Sequence, residues 1–221
     1  MDVRAAFVSL LVLAAVPADA GVLRGVVHVP SVAGDEDTAM NPYPGRASSM
    51  PGMHAPKRGA VTDAVVFVEK LPAAADSLIP LPAARPKLAQ KDQCFVPRVV
   101  PIAVGTTVDF PNMDPIYHNV FSPSPLKRFD LGKYPRGESR AVTFNRPGVV
   151  NVFCDIHSDM EAFVLVLPHH AFTQPDADGR YALPALPAGH YVLRAWHPDL
   201  HEIRREVDVP DTGDLQVDLS F

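Results

Sequence analysis

An all-β protein made of two β-sandwich units is predicted by three features of this 221-residue chain. Its 24 prolines and 13 glycines fall mostly between short apolar runs, and proline at that density interrupts helices while being tolerated in turns and at strand ends. The runs are rich in β-branched and aromatic residues and recur with turn signals between them, the spacing of a sandwich or small barrel. A composition of 47% apolar and 20% charged residues is globular and excludes disorder as the main state. Twenty Lys and Arg against 25 Asp and Glu give a net charge of −5. With no basic run suited to phosphates, this argues against nucleic acid as a partner.

Residues 1–20 read as a secretory signal. Arg4 stands in the head, residues 5–16 are apolar, and Pro17-Ala18-Asp19-Ala20 ends in the small-x-small pattern of a cleavage site. The apolar stretch is too short to span a bilayer comfortably, so a soluble, exported protein, periplasmic or otherwise, with no membrane span is expected. Residues 22–30 form a β-branched run stopped by Pro30, and 31–60 lack any period and read as a long loop. A second strand is expected at 64–70, followed by an Ala/Pro-rich extended connector at 71–86. Regular punctuation then predicts strands at 95–103, 106–110, 118–122, 139–144, 149–153 and 162–167, with Val104-Gly105, Pro111-Asn112, residues 132–137 and Arg146-Pro147-Gly148 as the turns between them. From Ala171 the pattern changes again. Turns at Asp176-Ala177-Asp178-Gly179 and Leu186-Pro187-Ala188-Gly189 each precede an alternating run, and 202–209 and 215–221 alternate once more. This reads as a second, smaller sandwich with Trp196 in its core. The expected division is 21–87, 88–168 and 169–221.

The informative segment is Cys154-Asp155-Ile156-His157-Ser158-Asp159-Met160, a C-x2-H-x2-M loop directly after an apolar strand. Thiolate and thioether are soft ligands, and one Cys and two His with a weak axial Met form the set that holds copper for electron transfer. The second imidazole has to come from another strand. His118, in Asp114-Pro115-Ile116-Tyr117-His118-Asn119-Val120-Phe121, is the best placed, opening a strand after a turn.

These residues carry a family resemblance. Residues 93–168 resemble the cupredoxins, the plastocyanin, amicyanin and pseudoazurin group, through His118-Asn119 and the Cys154, His157, Met160 loop. The loop spacing is most similar to that of amicyanin. The resemblance implies a Greek-key sandwich, one type 1 copper site, and a role for Asn119 in fixing the site by hydrogen bonding. The tail, with Asp178-Gly179-Arg180-Tyr181 and Leu186-Pro187-Ala188-Gly189-His190-Tyr191, resembles the carboxypeptidase regulatory-like sandwich of transthyretin (prealbumin) type. Gly25-Val26-Val27 and Ala64-Val65-Val66-Phe67-Val68 fit the first strands of that unit, though residues 21–70 could equally extend the cupredoxin. The whole layout resembles the exported methylamine-utilisation-type cupredoxins.

Each assignment has a competitor. Export permits a disulfide between Cys154 and Cys94, but a disulfide gives no reason for His and Met at fixed offsets, so Cys94 is taken as a spare thiol. Met40, Met50, Met53 and His54 could capture Cu(I), with an incidental Pro/Gly loop as the plainer reading. His169, His170, His190, His197 and His201 are taken as surface or packing residues. No G-x-S-x-G, Walker or His-Glu-x-x-His motif supports an enzyme. The expected function is an exported carrier of single electrons. Pro115, Ile116, Tyr117 and Phe121 would form its docking patch, Asp155 and Asp159 would add negative charge, and the redox partner would be a protein such as a cytochrome or dehydrogenase. Copper delivery without redox turnover is the alternative.

Overall fold

The computed structural model describes residues 20–30 and 59–221. Residues 1–19 of the expected signal at 1–20 and the segment with Met40, Met50, Met53 and His54 lie outside the described residues. In chain order the elements begin with β1 (Ala20–His28), a 3₁₀ turn at Val61–Asp63, β2 (Val65–Val68) and a one-turn helix α1 (Ala73–Asp76). Then follow β3 (Ala89–Lys91), β4 (Cys94–Val96), β5 (Val99–Ala103), β6 (Thr107–Pro111), β7 (His118–Ser122) and β8 (Phe129–Tyr134). Next come β9 (Ser139–Thr143), β10 (Gly148–Phe153), β11 (Glu161–Leu167) and β12 (Phe172–Thr173). The chain finishes with β13 (Arg180–Ala182), β14 (Leu186–Pro187), β15 (Gly189–Trp196), β16 (Ile203–Val209), β17 (Asp214–Gln216) and β18 (Leu219–Ser220).

The middle of the chain forms a two-layer sandwich. One layer has the order β5-β11-β10-β7-β8, with β5 and β11 parallel and the other neighbours antiparallel. The facing layer consists of the β6–β9 pair and the β3–β4 hairpin, joined by bridges between Lys87 and Asp109 and between Gln90 and Asn112. Alternation turns Val108 and Phe110 of β6 and Val150 and Val152 of β10 into the space between the layers, where Val120, Tyr134 and Phe144 join them. Each such side chain contributes about 1.5–3 kcal/mol by leaving water. Cys154 and Met160 belong to one end of this same core, so the chemistry-bearing loop is a continuation of packed structure.

The second sandwich joins distant parts of the chain. β1 pairs antiparallel with β13 and β14 and parallel with β17 and β18, while β2 lies between β12 and β15 in a sheet of order β12-β2-β15-β16. Leu23, Val27, Val66, Val68, Leu193 and Ala195 fill the space between these sheets. Strands from residues 20–68 therefore pair with the last third of the chain.

The two sandwiches meet along a third apolar cluster. Val65 and Phe67 of β2 pack with Val99, Phe163, Leu165 and Leu167 of β5 and β11. Beside this contact the Arg98 guanidinium, 6% exposed, bonds Asp63 at 3.2 Å and Asp199 at 2.6 and 2.9 Å and lies over the Phe163 ring. Burying that cation is tolerable because carboxylates from the neighbouring sandwich meet it directly.

Several local expectations are corrected. Trp196 is half-buried and packs edge-on against Phe163, centroids 6.0 Å apart, so it belongs to the seam and not to the core of the small sandwich. The expected strand 95–103 is two strands, because Pro97 has no N–H for the ladder and Arg98 turns to its carboxylates. The connector 71–86 is not wholly extended. Pro72 sets the entry to α1, and Asp76 at its end accepts the His170 N–H at 2.6 Å. Gly132, expected in a turn, sits inside β8 with φ +65°, and the turn falls later, at Gly137. β3, β8 and β12 were not anticipated, and Leu186–Pro187, expected in a turn, is the short strand β14 paired with β1.

Gly25 tests the joining of the second sandwich, since a Cβ there would stand 2.0 Å from the Val217 carbonyl oxygen. Backbone, unlike a side-chain tip, cannot swing aside. Gly25→Ala is predicted to destabilise the protein by about 1–3 kcal/mol, the scale of overpacking. A thermal midpoint equal to that of the unsubstituted chain would contradict the close approach of β1 to the C-terminal strands.

Candidate metal centre

Three strands end together at one pole of the first sandwich. β10 finishes at Phe153, which pairs with Glu161 of β11 on one side and with Phe121 of β7 on the other. The chain between β10 and β11 is short and is closed by its own backbone: the Cys154 N–H reaches the Met160 carbonyl at 3.3 Å, and the Met160 N–H reaches that of His157 at 3.1 Å. Residues 154–160 are thereby folded over the mouth of the core, and His118, the first residue of β7, stands beside them.

The structure brings His118, Cys154 and His157 together, with their candidate ligand atoms all within 4.8 Å of one another. The Cys154 Sγ lies 3.9 Å from Nδ1 of His118 and 3.9 Å from Nδ1 of His157. The two rings are 4.8 Å apart, centre to centre, and tilted by 54°. A metal ion bonded to nitrogen at about 2.0 Å and to sulfur at about 2.3 Å fits between atoms at such separations. His118 is fully buried, whereas His157 is half-buried. Met160 is 1% exposed, and its sulfur-bearing side chain packs in the same end of the core as Cys154. Neither cysteine forms a disulfide, so the bridge between Cys94 and Cys154 is not made.

The electrostatics suit a metal-binding sulfur. Burial opposes ionisation of Cys154, but the His118 imidazole and the backbone N–H groups of Asn119, Ile156 and His157 outweigh it and bring the thiol down to about 6. Burial also opposes charge on His118, and the Cys154 sulfur and the Asp114 carboxylate overcome it, so that imidazole is held above its ordinary range. Both shifts favour loss of the proton from the sulfur. Cys94 behaves oppositely: burial, with the Asp114 and Asp92 carboxylates nearby, pushes its thiol up.

Asn119 contributes through its backbone N–H to the sulfur, while its buried side-chain oxygen has no hydrogen-bond partner among the described residues. A residue to which the sequence reading gave no role is more deeply engaged. Asp114, 5% exposed, places Oδ2 at 2.8 Å from Nε2 of His118. It also accepts the N–H groups of Asp92 and Gln93, at 2.7 and 2.9 Å. Those two residues turn the β3–β4 hairpin with φ +54° and +56°, a left-handed conformation costing roughly 1–2 kcal/mol per non-glycine residue. The signal for Asp114 was its place four residues before His118 in an Asn-x-Asp turn, where Asn112 Oδ1 accepts the Asp114 N–H at 2.9 Å.

The five histidines expected at the surface or in packing lie elsewhere. His169 and His197 are buried; Nδ1 of His169 accepts the Ala171 N–H, and His197 bonds the Ala60 carbonyl. His170 faces Asp76, and His190 and His201 are exposed, with His190 facing Asp208. Among the described residues none of the five joins a group of three or more potential ligands.

The metal-free protein is predicted to show ultraviolet thiolate absorbance from Cys154 at neutral pH that disappears as the pH falls through about 6. Because the fold favours the anion, its contribution to stability is fully present above the unfolded thiol's value near 9.0 and is lost by about 6. A neutral-pH thiolate signal that survives Cys154→Ser would assign the low value to the wrong sulfur.

No protein-family model matches the chain, and no curated protein matches it either. Among solved structures, an amicyanin from Paracoccus versutus (Thiobacillus versutus) is 28% identical over 46% of this chain and 97% of its own, with a TM-score of 0.36. A purple cupredoxin from Nitrosopumilus maritimus is 26% identical over 34% and 83%, with a TM-score of 0.32. A Cu-containing nitrite reductase from Thermus scotoductus SA-01 is 28% identical over 39% of this chain, with a TM-score of 0.37, and the chain spans only 23% of that protein's length.

Proposed function

We propose that the chain is an exported copper protein that passes single electrons between redox partners. One type 1 site would be formed by His118, Cys154, His157 and Met160. The observation that carries this reading is the Cys154 sulfur standing 3.9 Å from one nitrogen of each imidazole, with the candidate ligand atoms of Cys154 and both histidines inside 4.8 Å. A thiolate and two imidazoles with a thioether on the same loop are the donors that copper takes in electron-transfer sites. Copper would supply one-electron redox chemistry there. The chain's own residues supply the rest: backbone N–H groups at the sulfur stabilise its charge, and the packed core behind Met160 and Val152 keeps water from that side.

His157 is the natural edge for electron exit, because it is half-buried while His118 is fully enclosed. Around this pole Ile116, Tyr117 and Ile156 are 39%, 58% and 41% exposed, and Met113 is 52% exposed. Such an apolar rim suits brief docking of a redox protein such as a cytochrome or dehydrogenase, with Asp155 and Asp159 adding charge that speeds encounter. Phe121 contributes less than its sequence position suggests, being half-buried against Phe153 with ring centres 5.9 Å apart. Among the described residues no helix is long and apolar enough to cross a membrane. We further read residues 88–168 as the cupredoxin unit and 21–87 with 169–221 as a carboxypeptidase regulatory-like sandwich. The two-sheet pairing of β1 and β2 with the C-terminal strands supports that division.

Titration with Cu(II) is predicted to develop an intense visible thiolate charge-transfer band with a small copper hyperfine splitting, reduced reversibly by one electron. Cys154→Ser is predicted to abolish the band, and an unchanged spectrum in that variant would overturn the site. Tight Cu(I) binding and release with slow redox cycling would favour copper delivery instead.

A further inference from the structure

We infer that Asp114, seated in an anion cradle formed by the left-handed Asp92–Gln93 turn, is the positioning residue that aims the His118 ring at Cys154; the inference rests on the metal-site reading above. The chain of contacts is continuous. Nε2 of His118 stands 2.8 Å from Oδ2 of Asp114, and the opposite ring nitrogen faces the Cys154 sulfur. A carboxylate accepting the Nε2 proton leaves Nδ1 turned to the sulfur side, which fixes both ring orientation and the nitrogen offered to a metal.

The carboxylate is itself held on several sides. Successive N–H groups of Asp92 and Gln93 meet its two oxygens, one each, and its own N–H is tied to Asn112. Asn112 in turn donates to the Ile116 and Tyr134 carbonyls at 2.8 and 3.0 Å, so the segment leading to His118 has few ways to shift. Two adjacent N–H groups can converge on one anion only where the backbone is left-handed or otherwise concave. That accounts for a turn with positive φ at two residues, neither of them glycine. The same hairpin grips the site a second time. The Gln90 amide donates to the Tyr134 hydroxyl at 2.6 Å, and Tyr134 is the β8 residue paired with His118. The β3–β4 hairpin is therefore a template for the ring, acting through a side chain that touches no ligand atom on the sulfur side.

The test uses the full chain with two readouts: the exchange-protected Nε2 proton of His118 by NMR in the metal-free protein, and Cu(II) affinity by competition. D114N is predicted to lose the protected proton and to bind Cu(II) about 10–100-fold more weakly. The double variant D92G/Q93G keeps the N–H donors and the accessible left-handed backbone, and is predicted to retain both properties. Should D114N fail to fold, D114E, one methylene longer, is predicted to fold and to weaken both. Unaltered values in D114N or D114E would overturn the positioning role. Loss of both in D92G/Q93G would show that side chains, not the N–H cradle, hold Asp114, and would overturn the cradle. If the unsubstituted protein develops no thiolate charge-transfer band, the copper reading fails, and the NMR comparison still decides the positioning role.

Discussion

The constraint on which this architecture turns is a sulfur anion kept away from water. Cys154 is 5% exposed, and an ion so enclosed is stable only where neighbouring groups replace its hydration. Two imidazoles and three backbone N–H groups do so here, and they come from β7 and from the loop that follows β10. No single strand could supply that set. The requirement that they converge explains why β7, β10 and β11 must be neighbours in one layer and why the loop closes on its own backbone at Met160.

Support for this pole comes from both layers. The five-stranded layer places the two histidines and the sulfur, while the facing hairpin β3–β4 restrains Asp114 and, through Gln90, Tyr134. The second sandwich reaches the same region from behind. Arg98 is pinned by Asp63 and Asp199 and lies 3.9 Å from Glu161, the residue immediately after Met160. Its electrostatic partners are unequal. Asp199 is held below the usual carboxylate range by Arg98, whereas burial keeps Asp63 above it despite the same guanidinium. The better-formed pair is therefore with Asp199.

How much of this was legible in the residue order follows physical lines. Alternating β-branched runs between Gly and Pro mark β1, β2, β6, β9, β10, β11 and β16 to within a residue or two, because their burial is set by local period. The C-x2-H-x2-M loop was legible because its spacing is local. His118 required only the idea that a second imidazole opens a neighbouring strand. What escaped depends on tertiary context. β8, Phe-Asp-Leu-Gly-Lys-Tyr, carries a glycine and two charges and becomes a strand by pairing with β7. Trp196 looked like a core residue of its own unit, since no local signal announces a partner such as Phe163 across a seam. Asp114 was visible, yet its role depends on two N–H groups more than twenty positions upstream that turn toward it only in the folded hairpin.

The parallel pairing of β1 with residues 214–220 bears on how the nascent chain matures. Residues 87–167 contain every strand partner of their two layers, so that pairing is complete once they have been made. β1, synthesised long before them, has no strand partner until β13 and β14 emerge, and its two parallel neighbours, β17 and β18, come later still. A hydrophobic edge thus waits through most of translation, and a chaperone that binds extended apolar segments would find its substrate at residues 22–29 and release it as residues 180–220 arrive.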